Sequence, residues 1–147
     1  MPQRFTLAPI AALAATLILL SAGTAWGAGA SVTIRDSDRY GRYLADGAGR
    51  TLYLFTRERG SASRCYGACA RAWPPLLTRG APRARGGARQ SLLGTTRRRG
   101  GRRQVTYNGH PVYRYFRETR AGQIFCQSVV EFGGTWLLVN PRGSAIR

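Results

Sequence analysis

Tyr53-Leu54-Phe55-Thr56-Arg57-Glu58 returns 60 positions later as Tyr113-Arg114-Tyr115-Phe116-Arg117-Glu118. A tyrosine, a second aromatic, an arginine and a glutamate occupy matching places in the two copies. Each copy sits on the returning arm of what reads as a β-hairpin. Before the first, Arg42-Tyr43-Leu44-Ala45 is a strand candidate and Asp46-Gly47-Ala48-Gly49 a turn cluster. The arm at residues 51–56 is rich in β-branched, aromatic and aliphatic side chains, which suit a pleated and buried surface. Before the second, Gln104-Val105-Thr106-Tyr107 runs into Asn108-Gly109, a dipeptide that turns tightly because both residues tolerate positive φ. A tryptophan follows each copy, at Trp73 and Trp136. The pattern is that of an internal duplication.

Working outward, Val32-Thr33-Ile34 is a short β-branched run, and Thr135-Trp136-Leu137-Leu138-Val139 is an apolar strand that ends at an Asn140-Pro141-Arg142-Gly143 turn. Residues 65–73 suit one or two helical turns, stopped by Pro74-Pro75, because proline clashes with the preceding turn and pushes the residue before it out of the helical region. Ser91-Leu92-Leu93-Gly94-Thr95-Thr96 is a strand expected to pair with residues 104–107 across an Arg/Gly loop. The expected fold is all-β and mainly antiparallel, with two pseudo-repeat β-hairpin units in one small domain and one short helix around the cysteine pair. Repeat one spans about residues 40–78, a basic Arg/Gly segment 79–103, and repeat two about 91–143.

The ends and the charge set the compartment. Arg4, an apolar stretch at residues 7–20 and small residues up to Ala30 have the layout of a secretory signal peptide. Cleavage fits after Ala25 or after Ala30. Ala30 is preferred here, because a strand-like segment begins at Ser31, which makes residues 31–147 the mature chain. The apolar run is too short for a membrane span. No cysteine lies near either cleavage point, so no lipid anchor is expected. The 147-residue chain carries a formal net charge of +17, and all 23 of its Lys and Arg positions are arginine. Arginine grips phosphate and carboxylate with a planar fork, although a GC-rich genome yields the same bias. A field of that sign draws polyanions without a dedicated pocket.

Three cysteines, Cys65, Cys69 and Cys126, meet an oxidising environment after export. Four residues apart on one face of a helical turn, Cys65 and Cys69 lie near ~6 Å between Cα atoms, which a disulfide can span. A staple is therefore expected there, with Cys126 left over. The pair lacks the two-residue spacing and βαβ setting of a redox motif. The three thiols and His110 total a possible Cys₃His zinc set, but lack paired short clusters, and the haem attachment signature is absent. No cofactor is expected. Glu58 and Glu118 are equivalent by repeat. A shared structural task, such as pairing with an arginine or accepting backbone N–H bonds, suits them better than the unequal roles of acid and base. A single histidine and no serine motif leave no nucleophilic triad. The recurring aromatics Tyr53, Phe55, Tyr113, Tyr115, Trp73 and Trp136 read as core, with a stacking platform as the alternative. Arg97, Arg98, Arg99, Arg102 and Arg103 flank Gly100-Gly101 at the expected hairpin tip and are candidate polyanion contacts, salt-dependent in strength.

These residues carry a resemblance. Residues 51–55, the string Cys65-Tyr66-Gly67-Ala68-Cys69-Ala70 and Trp73-Pro74-Pro75-Leu76, together with residues 105–113 and Glu131-Phe132-Gly133-Gly134-Thr135-Trp136, resemble the bacterial secreted-repeat family of predicted lipoproteins. That family is known by a Tyr-x-aromatic-x-x-Asp motif, here Tyr53, Phe55, Glu58 and Tyr113, Tyr115, Glu118. The likeness runs from about Tyr40 to Gly143. It implies an exported, envelope-associated repeat protein and no defined activity. The chain departs from the pattern in carrying glutamate for aspartate, in lacking the anchor cysteine, and in Cys126, which stands where the family tends to be glycine-rich.

The expected function is a non-catalytic binding or structural module outside the cytoplasm, held by its arginines near anionic cell-envelope polymers or an acidic lipid surface. Sequence-specific nucleic-acid binding has no motif here, and no transmembrane segment is expected after signal cleavage. The alternative is an extracytoplasmic redox or metal-binding protein that uses the cysteine pair.

Overall fold

Tyr53 and Tyr113, the first residues of the two copies, meet at the centre of the molecule. In a computed structural model that describes residues 1–2 and 27–147, they exchange both backbone hydrogen bonds, Tyr53 N–H to Tyr113 O at 2.8 Å and Tyr113 N–H to Tyr53 O at 2.9 Å. Most of the expected leader lies outside the described residues. The strands are β1 (Ser31–Ser37), β2 (Gly41–Asp46), β3 (Tyr53–Phe55), β4 (Leu77–Thr78), β5 (Arg83–Ala84), β6 (Leu93–Arg97), β7 (Arg103–Tyr107), β8 (His110–Pro111), β9 (Val129–Glu131) and β10 (Gly134–Leu138). Among the described residues the single α-helix, α1, is Ala68–Ala72, and one 3-10 turn covers Gln90–Leu92. Three small sheets result, ordered β2-β1-β5, β3-β10-β9 and β4-β7-β6, with β8 on the side of β7. Among the described residues only the β1–β5 pairing is parallel. No helix among the described residues is long and apolar enough to cross a membrane.

The fold is the all-β, mainly antiparallel one that the residues led us to expect, with its short helix beside the cysteines. β6 pairs with β7 across the Arg/Gly loop, Thr96 opposite Gln104 and Leu93 opposite Tyr107. Asn108 and Gly109 adopt φ of 49° and 76°, as a primed two-residue turn requires. Asn140 closes the final turn, its side-chain oxygen accepting from Arg142 N–H at 2.9 Å and Ser144 N–H at 3.1 Å.

The hairpin partners differ from expectation. β2 was expected to pair with the arm at residues 51–56, yet it pairs along its whole length with β1, and only a single bridge, Ala45 with Thr51, joins it to that arm. β3 pairs instead with β10, Trp136 opposite Phe55 and Leu138 opposite Tyr53. The second copy does the same: Val112 N–H makes a last bond to Val105 O of β7 at 3.1 Å, and Val112 O accepts from Leu76 N–H at 3.0 Å. Each repeat's segment after its tryptophan thus completes the other repeat's sheet. Leu44 N–H donates to Val139 O at 2.8 Å, and its repeat mate Val105 donates to Leu76 O at 2.8 Å. The two copies are interleaved rather than stacked.

Alternation along the strands sorts the core into two layers. On β3 and β10, Leu54 and Leu137 join an aliphatic cluster with Leu44, Leu52, Leu76, Val105 and Val139. Tyr53, Phe55, Trp136 and Leu138 point the opposite way, into an aromatic cluster with Trp73, Tyr113 and the three cysteines. A strand buried on both faces reads as a continuous apolar run, which is why residues 52–55 show no polar alternation. Residues 27–30, which cleavage after Ala30 would remove, pack on the domain: Ala30 N–H donates to Thr78 Oγ1 at 3.0 Å, and Ala30 O accepts from Arg83 N–H at 2.9 Å.

Candidate functional site

The motif residues converge on the centre and cross over between repeats. Tyr53 OH donates to Glu118 Oε1 at 2.6 Å. Tyr113 OH donates to Glu58 Oε1. The same carboxylate oxygen in each case accepts a backbone N–H from the following loop, Arg64 N–H to Glu58 at 2.8 Å and Phe125 N–H to Glu118 at 2.6 Å. Each glutamate N–H also closes a turn onto the aromatic three residues back, Phe55 and Tyr115, both at 3.1 Å. The expected shared structural task is therefore performed through backbone N–H groups and a tyrosine of the other repeat, with no arginine in a salt bridge.

The tryptophans complete the arrangement. Trp73 and Trp136 stack at 4.0 Å between centroids with planes 1° apart. Tyr53 meets Trp73 edge-on at 5.3 Å and Tyr113 meets Trp136 edge-on at 5.2 Å. Phe55 stacks on the other repeat's Trp136 at 4.2 Å, and Tyr115 lies 4.9 Å from Trp73. Trp73, Trp136, Tyr53 and Tyr113 are all fully buried. The aromatic set is core, so these four rings offer no exposed stacking platform.

Burial dominates both carboxyls. Glu58 and Glu118 are 6% and 2% exposed, and the second oxygen of each has no hydrogen-bond partner. Desolvation holds both above the ordinary carboxylate range, opposed by the tyrosine and backbone bonds. Glu58 has two further opponents, the Arg98 guanidinium and the Ser63 hydroxyl. Arg98 donates to Ser63 Oγ at 2.7 Å, and Ser63 Oγ lies 2.7 Å from Tyr113 OH, which bonds Glu58. Glu118 has no such chain. A carboxyl raised in the folded state contributes stability that is complete below its unfolded value and lost as pH rises through its folded one. Stability should therefore fall as pH rises above about 4.3, the usual glutamate value, by up to about 1.4 kcal/mol per carboxyl per pH unit within the window. Glu118→Gln should remove more of that slope than Glu58→Gln, because Glu58 retains a cation at the end of its chain. Urea unfolding at a series of pH values measures both.

The arginine candidates divide. Arg97, Arg99, Arg102 and Arg103 are exposed, at or beside the β6–β7 tip. Arg98 is only 5% exposed. Its guanidinium turns inward to Gln104 Oε1 at 2.7 Å and Cys65 O at 2.6 Å, which removes it from the polyanion-contact set. Arg98 N–H pairs with Arg102 O at 2.8 Å at the hairpin tip, and its guanidinium is drawn inward by acceptors far away in the chain, Ser63 Oγ and Cys65 O. Arg79, Arg102 and Arg103 line a cavity of about 690 Å³ together with Ala28, Ala30 and Leu77.

Cys65 and Cys69 form the expected disulfide, their Cα atoms 5.2 Å apart. Only Cys69 lies in α1. Gly67, at φ 54°, turns the chain between them, a conformation that glycine adopts without strain. Cys126 is free and buried, and burial pushes its thiol up to about 11. It follows Phe125, whose N–H caps Glu118, as Cys65 follows Arg64, whose N–H caps Glu58. It is thus the second repeat's counterpart of Cys65, standing without a partner cysteine. His110 lies on β8, beside a different cavity from that of Cys69. Among the described residues no three of His, Cys, Asp and Glu gather as a metal would need. Arg57, the arginine that the repeat matches to Arg117, and Arg64, which no motif marks, line a cavity of about 400 Å³ together with Cys69.

No curated protein and no solved structure matches the chain. The model of a family described as a secreted repeat of unknown function matches it twice, over residues 35–77 and 94–140. Those two stretches contain the two copies whose tyrosines meet at the centre. The chain belongs to that family of secreted repeats.

Proposed function

We propose that this protein is a non-catalytic module of the cell exterior, free of a lipid anchor, whose arginine surface holds it against anionic envelope polymers or an acidic lipid surface. The observation that carries the reading is the asymmetry of its surface charge. Of six acids, Asp46, Glu58 and Glu118 are buried. Arg97, Arg99, Arg102 and Arg103 stand exposed, and none of them makes a salt bridge among the described residues. Unpaired guanidinium groups favour phosphate and carboxylate through paired N–H donors. Cleavage after Ala25 would keep the contacts that Ala30 makes with Thr78 and Arg83, whereas cleavage after Ala30 would remove them.

Sedimentation with anionic phospholipid vesicles, and separately with an acidic polysaccharide, across a salt series tests the reading. Binding should fall steeply with salt, and zwitterionic vesicles should not bind. Replacing Arg99, Arg102 and Arg103 with alanine should lower the slope of log affinity against log salt by about three, roughly one per lost contact. No retention on either anionic support at low salt would reject the proposal.

A further inference from the structure

The two cysteines of the disulfide lie in different surroundings. Cys65 is fully buried, and its carbonyl accepts from the buried Arg98 guanidinium at 2.6 Å. Cys69 is 7% exposed and lines the cavity of about 400 Å³, whose wall includes Tyr66 and Phe132 and whose charged members are Arg57 and Arg64. Both arginines are exposed side chains, and Arg57 donates to Phe132 O at 3.2 Å across the opening. The Arg98 and Arg99 guanidiniums each lie 4.4 Å from the centre of the Tyr66 ring. Cys69 thus borders an open cationic cavity, and Cys65 sits inside with its carbonyl bonded to a buried cation.

We propose that Cys65–Cys69 is an exchangeable disulfide, opened from the cavity at Cys69 by a small anionic thiol such as glutathione. The incoming thiolate attacks Cys69 Sγ. A new S–S bond forms between them, the Cys65–Cys69 bond breaks, and its electron pair leaves on Cys65 Sγ, which takes a proton from water or attacks back to release the thiol. One disulfide and one thiol enter, and one disulfide and one thiol leave, so the step needs no further oxidant or reductant. Arg57 and Arg64 concentrate an anionic thiol and favour its thiolate form. Arg98 stabilises charge on the departing Cys65, and a better-stabilised leaving thiolate departs faster. Cys126, buried and with its thiol raised, takes no part. The inference is independent of polyanion binding, since it concerns Arg57 and Arg64 rather than the hairpin tip.

Oxidised protein is incubated with reduced glutathione, quenched with acid and mapped by peptide mass. The adduct is expected on Cys69. In the Cys65→Ser protein, glutathione disulfide should label Cys69 on the order of tenfold faster than cystamine, its cationic analogue, does. Arg57→Glu with Arg64→Glu should invert that preference, and Cys65 in the Cys69→Ser protein should label at least about tenfold more slowly. Near-UV circular dichroism from the stacked tryptophans identifies folded samples, and the wild-type trapping arm stands even where a variant unfolds. Adducts on Cys65, equal labelling of the two cysteines, indifference to thiol charge, or no adduct on the wild-type protein would each overturn the proposal.

Discussion

Replacing Trp136 with alanine is expected to destabilise the protein by about 3–5 kcal/mol, the range for removing a buried aromatic from a core that cannot collapse around the gap. Trp136 is fully buried and touches three rings, stacking on Trp73 and Phe55 and meeting Tyr113 edge-on. Trp73→Ala should fall in the same range, because Trp73 repeats those relations with Trp136, Tyr115 and Tyr53. The double variant should cost less than the sum, by about 0.5–1.5 kcal/mol, since both single changes delete the same stack. Small domains have about 5–15 kcal/mol in all, so either variant should populate unfolded chain at modest temperature. Urea denaturation with a double-mutant cycle reads the coupling. Strict additivity would mean that the two repeats do not depend on each other through this stack.

Arg98→Ala is expected to have the second largest effect, about 3 kcal/mol, comparable to breaking a buried charged network from one side. Removal of its guanidinium takes donors from Cys65 O, Ser63 Oγ and Gln104 Oε1 in one change, and takes from Glu58 the cation that favours its ionised form. Arg98→Lys should recover less than half of the loss, because three carrier atoms in different directions suit a planar fork and not a single ammonium. The same variants should leave the salt dependence of polyanion binding unchanged, whereas Arg99→Ala should alter it. Thermal unfolding and vesicle sedimentation on one set of samples separate the two roles. A stable Arg98→Ala protein with a reduced salt slope would return residue 98 to the surface set.

Much of the local structure was legible in the residues. Asn108-Gly109 placed its turn, Pro74-Pro75 stopped α1, and the Arg/Gly loop joined β6 to β7, because turn chemistry and short-range pairing depend on neighbours along the chain. The matching of Tyr53 to Tyr113 and Glu58 to Glu118 identified the residues that meet at the centre. Their partners were not legible. Sequence periodicity tells which face of a strand is apolar but not which distant strand lies beside it, so the residues point to β2 beside β3, whereas the folded chain pairs β2 with β1 and β3 with β10. Only the folded chain shows Glu58 bonded to Tyr113 and Glu118 to Tyr53.

What the chain's residues determined alone is its duplicated all-β plan, its staple and its cationic surface, since these follow from local propensity, spacing and charge. Tertiary structure alone decided that the repeats interleave, that Arg98 turns inward among the arginines around it, and that Cys69 rather than Cys65 borders a cavity. Each of those outcomes depends on which groups from distant parts of the chain come within hydrogen-bond reach in a buried place. Burying a polar group without a partner costs free energy there, so the long-range partners within reach, and not the local sequence, select the arrangement.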